Sequence, residues 1–381
     1  MVNFRSIELN RLVSMKSGEA ITAQHIDDYG EYPCFGGNGL RGYTNQYTHQ
    51  GEYALIGRQG ALCGNVTYVN GTFYASEHAV VVAPKEDNII KYIYYVLEAM
   101  HLNQYVESSA QPGLSVNKLL NLLAYVSTDS NEQQRIATVL ADIDAMISSL
   151  KTLIAKKKAI KLSAMQELLT GKKRLPGFSG EWINFNLMKH SKIKARIGWQ
   201  GLKKSEYLDS GYALLITGTD FDDGKVEWDS CHYVTRSRYE QDRNIQIQDN
   251  DILITKDGSL GKAALVQGLT KPATLNSGIF VIRPMQNAYD PVFVYHILSS
   301  FVFKDFLDKL SAGSTIIHLY QKDVGKFEFG LPPTIEEQEA IAALLSEMDS
   351  EIEALQQKLE KYRQLKQGMM QQLLTGKIRL K

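Results

Sequence analysis

The residues that could do covalent chemistry are present in this 381-residue chain, but not at the spacings such chemistry needs. A phosphate-gripping loop would read GxxxxGK(S/T), whereas Gly171-Lys172 is followed by Lys173 and Gly376-Lys377 by Ile378. Adenine methylation would need Asn or Asp before a Pro-Pro and an aromatic residue after it. Here Pro332-Pro333 follows Leu331 and precedes Thr334. HExxH and GxSxG are absent. Cys34, Cys63 and Cys231 have no CxxC spacing and no neighbouring His cluster, so neither a zinc site nor a disulfide framework is indicated, which suits a reducing cytosol. Gly36-Gly37-Asn38-Gly39 reads as a turn rather than a phosphate loop. No catalysis by this chain alone is expected, and no metal or cofactor of its own.

Several loops carry polar residues whose types could hydrogen-bond to a nucleic acid, one ligand among those that such loops can hold. Arg and Lys suit guanine edges and phosphates, Asn and Gln suit adenine, and Ser, Thr or His can join them at a groove. The candidates early in the chain are Asn38, Arg41, Arg58, Gln59, Ser76, His78 and Gln111. Those further on are Lys203, Thr217, Thr219, Lys256, Asp257, Lys262, Asn276, Ser277, Thr315 and His318. Arg58 and Lys256 stand apart because each follows an apolar strand and precedes Gly, in Arg58-Gln59-Gly60 and Lys256-Asp257-Gly258. A shared position fits phosphate positioning more than base reading. Tyr43, Tyr47 and Tyr68 read as core residues before sugar contacts. Lys156, Lys157 and Lys158 read as a solvated helix face before a surface for DNA or an acidic partner, and Lys156, Lys157, Lys161 and Lys361 are the candidate partner-binding residues.

What must position these loops is an internal repeat. Glu132 to Leu175 returns as Glu337 to Leu380 at a constant offset of 205 with no gap. Glu132, Gln133, Ile136, Ala137, Leu140, Asp144, Ile147 and Leu150 match residues of the same type in the second copy, and Leu168-Leu169-Thr170-Gly171-Lys172 returns as Leu373-Leu374-Thr375-Gly376-Lys377. The apolar residues step by fours and threes, Ile136, Leu140, Ile143, Ile147, Leu150, Ile154, then Ile341, Leu345, Met348, Ile352, Leu355, Leu359. That is a heptad seam. Each copy is expected to be one helix of some 40 residues, closed by Thr-Gly and about 60 Å long. An antiparallel pair of such helices would give a pseudo-two-fold axis with a globular domain at either end and two quasi-equivalent surfaces for two copies of one partner.

Around the repeats, residues 1–130 read as a mixed α/β domain, with strands near Tyr53–Gly57 and Ala79–Ala83, a helix over Ile89–Leu102 and a helix cap at Asp129-Ser130. Residues 131–175 are the first helix, 176–335 a second domain in the same order, and 336–381 the second helix. Ile252-Leu253-Ile254 stands where Leu55-Ile56 stood, and Phe280 to Pro284 where Ala79 to Pro84 stood. The fold class is therefore α+β. Net charge is zero, with 42 basic and 42 acidic residues, so a tightly bound DNA would need partners to supply much of the phosphate neutralisation. No basic-then-apolar leader opens the chain and no apolar run approaches 18 residues, which gives the expectation of a cytoplasmic protein without a membrane partner.

Leu331-Pro332-Pro333, then Glu337-Gln338 and Ile341 opening a long helix, together with the twin Leu-Leu-Thr-Gly-Lys endings, resemble the specificity subunit of type I restriction-modification systems (HsdS). The first half departs from that pattern, with Val126-Ser127-Thr128 where Leu-Pro-Pro would stand. The resemblance implies a non-catalytic subunit with two target recognition domains, each reading half of an asymmetric bipartite duplex site. The helices would hold the domains apart and dock two modification subunits. It further implies S-adenosylmethionine, ATP and Mg in those partners and in restriction subunits, none in this chain. The alternative is a coiled-coil scaffold whose globular ends bind proteins, which sequence-specific shift of bipartite duplexes would separate.

Overall fold

The computed structural model describes residues 4–106, 113–311 and 318–380. Both repeats are single helices, Ser130–Leu168 and Ile335–Leu373, each of 39 residues. Ile136, Leu140, Ile143, Ile147, Leu150 and Ile154 are all buried along the first seam, as are Ile341, Leu345, Ile352 and Leu359 along the second. The helix starts are capped from the side: Asp129 Oδ1 accepts from Asn131 N at 2.9 Å, and Thr334 Oγ1 accepts from Glu337 N at 3.4 Å.

Packing divides the chain into two compact units, residues 1–153 with 355–381, and residues 154–354. Each unit holds a globular domain, the beginning of the helix that follows it and the end of the other helix.

In the first unit, β1 (Phe4–Glu8) pairs antiparallel with β8 (Leu123–Ser127), carrying the chain directly into the first long helix. Between them lie β2 (Val13–Ser17), β3 (Tyr32–Gly36), β4 (Gly39–Thr44), β5 (His49–Gly57), β6 (Val66–Ala75) and β7 (Ala79–Pro84). They form one sheet in the order β2-β7-β5-β6-β3-β4, antiparallel except where β3 meets β6. Helix Ile90–Ala99 packs on it, ending where His101 takes a left-handed φ of +47°, earlier than the expected Leu102. A short helix, Val116–Leu120, then precedes β8.

The second unit repeats this plan. β9 (Ile183–Asn186) will pair with the strand that precedes the second long helix; after it come β10 (Ser191–Lys194), β11 (Ala213–Ile216), β12 (Phe221–Asp222), β13 (Lys225–Val226) and β14 (His232–Val234). β15 (Ile252–Thr255), β16 (Ala263–Leu265), β17 (Ala273–Leu275), β18 (Ile279–Pro284) and β19 (Glu328–Leu331) complete it. β19 pairs with β9 as β8 does with β1, and the sheet order is β10-β18-β15-β16-β13-β12. A separate sheet, β14-β11-β17, is an addition with no counterpart among the described residues of the first unit. The edge hairpin is also entered from the opposite end: its outer strand comes second in the first unit and first in the other.

Candidate functional site

The repeated residues that the sequence left without a role are the fastenings of each domain. Gln133 Oε1 accepts from Ile89 N at 2.9 Å and its Nε2 donates to Ser127 O at 2.8 Å. Gln338 does the same to Asp290 N at 2.9 Å and Pro332 O at 3.1 Å. Glu132 and Glu337 are each only 1% exposed as side chains, and each is met by the arginine that closes the other repeat copy, Arg379 and Arg174. The endings work alike. The Thr170 and Thr375 hydroxyls donate to the carbonyls of Gln166 and Gln371, satisfying a helix-end acceptor. Gly171 and Gly376 then turn with φ of +70° and +68° against Trp182 and Phe4. Arg174 and Arg379 lie over those same rings, 5.9 and 5.5 Å from their centroids.

On this frame the two shared basic residues occupy one position. Arg58 N donates to His78 O at 3.0 Å and Arg58 O accepts from Leu114 N at 3.0 Å; Lys256 N donates to Gly278 O at 2.8 Å and Lys256 O accepts from Leu319 N at 2.9 Å. Their side chains differ in use. Arg58 is half-buried, and its Nη1 donates to Ser17 Oγ at 2.7 Å. Lys256 Nζ sits 5.5 Å above the Phe280 ring.

In the first unit the structure gathers Asn38, Arg41, Gln59 and His78 around one open cavity of about 430 Å³ with Gly36, Gly37, Gly39 and Gly60. Asn38 tips the β3–β4 hairpin, where Gly36 pairs with Gly39. Register shifts there: Phe35 faces Leu40 and Cys34 faces Gly42, which leaves Arg41 as the extra residue of a β-bulge. The hairpin lies backbone to backbone on the end of β5. A Cβ on Gly57 would come within 2.0 Å of Gly37 O, and one on Gly37 within 2.8 Å of Gln59 O. His78 is turned by Glu77, 3.3 Å away. Ser76 is buried beside this cavity, and its Oγ accepts from His78 N at 3.4 Å.

In the second unit the expected residues do not converge. Lys256 lines a cavity of about 410 Å³ with Lys194, Arg196, Asn244, Tyr320 and Gln321, none of which the sequence singled out. Arg196 is 2% exposed; its Nε donates to Leu275 O at 2.8 Å and its Nη2 to Thr274 Oγ1 at 3.2 Å, and burial lowers its pKa from the usual arginine value. Thr217 is engaged with Asp220, Lys262 with the Phe221 carbonyl, Asn276 with Ser277, and His318 with Asp257. Thr219 Oγ1 lies 2.7 Å from Thr217 Oγ1, and Lys203 is exposed beside a short turn. Gln111 and Thr315 fall outside the described residues.

Of the helix lysines, Lys157 pairs with Glu351 and Lys161 with Asp349, so the structure gives both partners within their own unit. Lys366 in the other unit does likewise with Asp144 at 3.0 Å and Glu98 at 3.1 Å. Lys156 and Lys361, which are 205 residues apart, are exposed. Burial pushes the Cys231 thiol up to about 12, and all three cysteines are buried and unpaired. Among the described residues no group of three or more His, Cys, Asp or Glu could hold a metal ion, and no helix is long and apolar enough to cross a membrane.

Comparison with known proteins places this architecture. Residues 1–160 and 199–362 match the type I restriction modification DNA specificity domain family. The Escherichia coli type I restriction enzyme EcoprrI specificity subunit is 47% identical over 146 residues, covering 37% of this chain and 36% of that protein, so the match spans about a third of that relative. A putative type I restriction enzyme MjaX specificity subunit of Methanocaldococcus jannaschii is 25% identical over 370 residues, 93% of this chain and 81% of its own. In fold, the S subunit of a type I restriction-modification system from M. genitalium superposes with a TM-score of 0.73 at 17% identity, covering 98% of this chain and 96% of that one. The first matched segment takes in the first globular domain and the second takes in the second domain beyond β10, each with much of the long helix that follows, and on that match the chain belongs to the type I restriction modification DNA specificity domain family.

Proposed function

We propose that this chain is the DNA sequence-specificity subunit of a type I restriction-modification complex. Each globular domain reads one half of an asymmetric, interrupted duplex site. The long helices set the gap between the halves and dock two modification subunits, with restriction subunits joining that assembly. The chain carries no catalytic step. S-adenosylmethionine, ATP and Mg belong to the partners, and the complex works in the cytoplasm.

One observation carries this reading. Two domains fastened by the same contacts, at positions 205 residues apart, present unlike polar groups at their cavities: Asn38, Arg41 and Gln59 in the first, but Lys194, Asn244 and Lys256 beside Asp242 in the second. An equal frame with unequal readers selects two different half-sites. The zero net charge fits a subunit that does not hold DNA by itself, since phosphate neutralisation supplies most non-specific affinity. Selection from a random duplex library by the assembled complex tests the proposal. Enrichment of one interrupted two-part motif is the expected result; no enrichment would favour a protein-binding scaffold.

A further inference from the structure

Resting on that reading, we infer that Asn38, Arg41 and Gln59 are the base-reading residues of the first domain, with purine edges in duplex DNA as their ligands. Among the described residues none of the three side chains has a hydrogen-bond or ion-pair partner, although all three are exposed at one cavity. Among the described residues no carboxylate lines that cavity. Most other polar candidates in the chain are already engaged: Arg58 with Ser17, His78 with Glu77, Thr217 with Asp220, Lys262 with Phe221 O.

The backbone beneath the three residues is built to hold them. Gly37 and Gly57 allow the hairpin to touch the end of β5, which fixes Asn38 against Gln59, and either Cβ would collide with backbone oxygen. The bulge gives Arg41 a direction that a regular strand would not, and its stem runs over Gly36, where a Cβ would stand 3.5 Å from Arg41 Cδ. Rigid placement matters for readout because a loop that must be ordered on binding loses affinity and discrimination. The side-chain types are the donor and acceptor sets that pair in bidentate fashion with purines, arginine with guanine O6 and N7, asparagine and glutamine with adenine N6 and N7. Arg58, whose side chain is tied to Ser17, is a positioning residue.

The test uses the chain in its complex with modification subunits, in cells, reading adenine methylation across the genome for Arg41→Ala, Asn38→Ala, Gln59→Ala and Arg41→Gln. Each alanine variant is expected to relax one or two base positions in a single half of the motif, with discrimination there falling roughly ten- to a hundredfold. Arg41→Gln should move a position from guanine towards adenine. Thermal unfolding matching the parent shows that the variants fold. An unchanged motif in all four, or a uniform loss of methylation at every site by folded variants, would overturn the inference, the latter assigning these residues to affinity. If the parent chain itself directs no interrupted motif, the specificity reading falls, and this inference with it.

Discussion

At the scale of single residues, the fastening ion pairs and one buried imidazole make the sharpest demands. Glu132 is buried with Arg379 as its counter-ion and the Ser127 hydroxyl as a second donor at 2.7 Å. Removing the arginine leaves a carboxylate in a low-dielectric site with one hydrogen bond, a loss of about 2–3 kcal/mol. Arg379→Ala should therefore lower the urea midpoint of the first unit, and an unchanged midpoint would show the pair to be ornamental. His296 is buried, with Nε2 3.3 Å from Ser346 Oγ, and burial first, then the charge of Lys161, holds its pKa down from 6.5 to about 3. It is neutral in the fold. Below pH 6.5 the unfolded chain takes up a proton that the folded domain refuses, so stability falls as pH drops from 6.5 towards 3, by up to about 1.4 kcal/mol per pH unit. Above 6.5 the group adds no slope. Urea titrations of His296→Gln should lose that acid-side slope; a slope retained in full would place its origin elsewhere. Tyr95 occupies the matching place in the first unit and donates to Asp144 at 2.8 Å, so no such imidazole effect arises there.

At the scale of elements, the two endings of the repeat are one device used twice. In the second unit the chain runs on covalently from Gly171 to Trp182, while in the first the same contact, Gly376 on Phe4, is made by residues at opposite ends of the chain. Alanine at either glycine must hold a left-handed φ near +70° and push a Cβ to 3.1 Å from Trp182 or 2.7 Å from Phe4. Each substitution should cost about 1–2 kcal/mol from backbone conformation alone. Hydrogen exchange separates the two: Gly376→Ala should speed exchange in β1 and leave β9 unaffected, and Gly171→Ala the reverse. Equal effects on both strands would mean that the fastenings are not local to their units. These elements were largely legible in the sequence. A seam of fours and threes, a Thr-Gly stop and identity at a fixed offset are local patterns, and the helices followed them. The division of each helix between units was not legible, because it depends on what packs against each turn rather than on the turn's own residues. The added β14-β11-β17 sheet escaped for a related reason: its strands are three or four residues long and separated by many others.

At the scale of the whole molecule, the sequence carried the plan further than the site. Arg58 and Lys256 were recognisable as equivalent because a strand and a glycine flank each, and the backbone bonds around them agree. Only its residue type marks Arg41 in the sequence; its bulge position depends on strand register, which composition does not reveal. Lys157 and Lys161 stand as partner-binding candidates by type, and Glu351 and Asp349 meet them from the other helix, a pairing fixed by antiparallel register. Arg196 gave no signal at all, since an arginine in a short strand region is ordinarily a surface residue. The central claim is that the chain confers an interrupted two-part specificity, one part per globular domain. Its most direct test maps methylated adenines across a genome carrying this gene and its modification partner, then with the gene deleted, then with residues 1–129 exchanged for the corresponding domain of a relative. One interrupted motif that vanishes on deletion and changes in one half only on exchange is the expected result. Methylation that persists unchanged without the gene, or an exchange that alters both halves together, would contradict it.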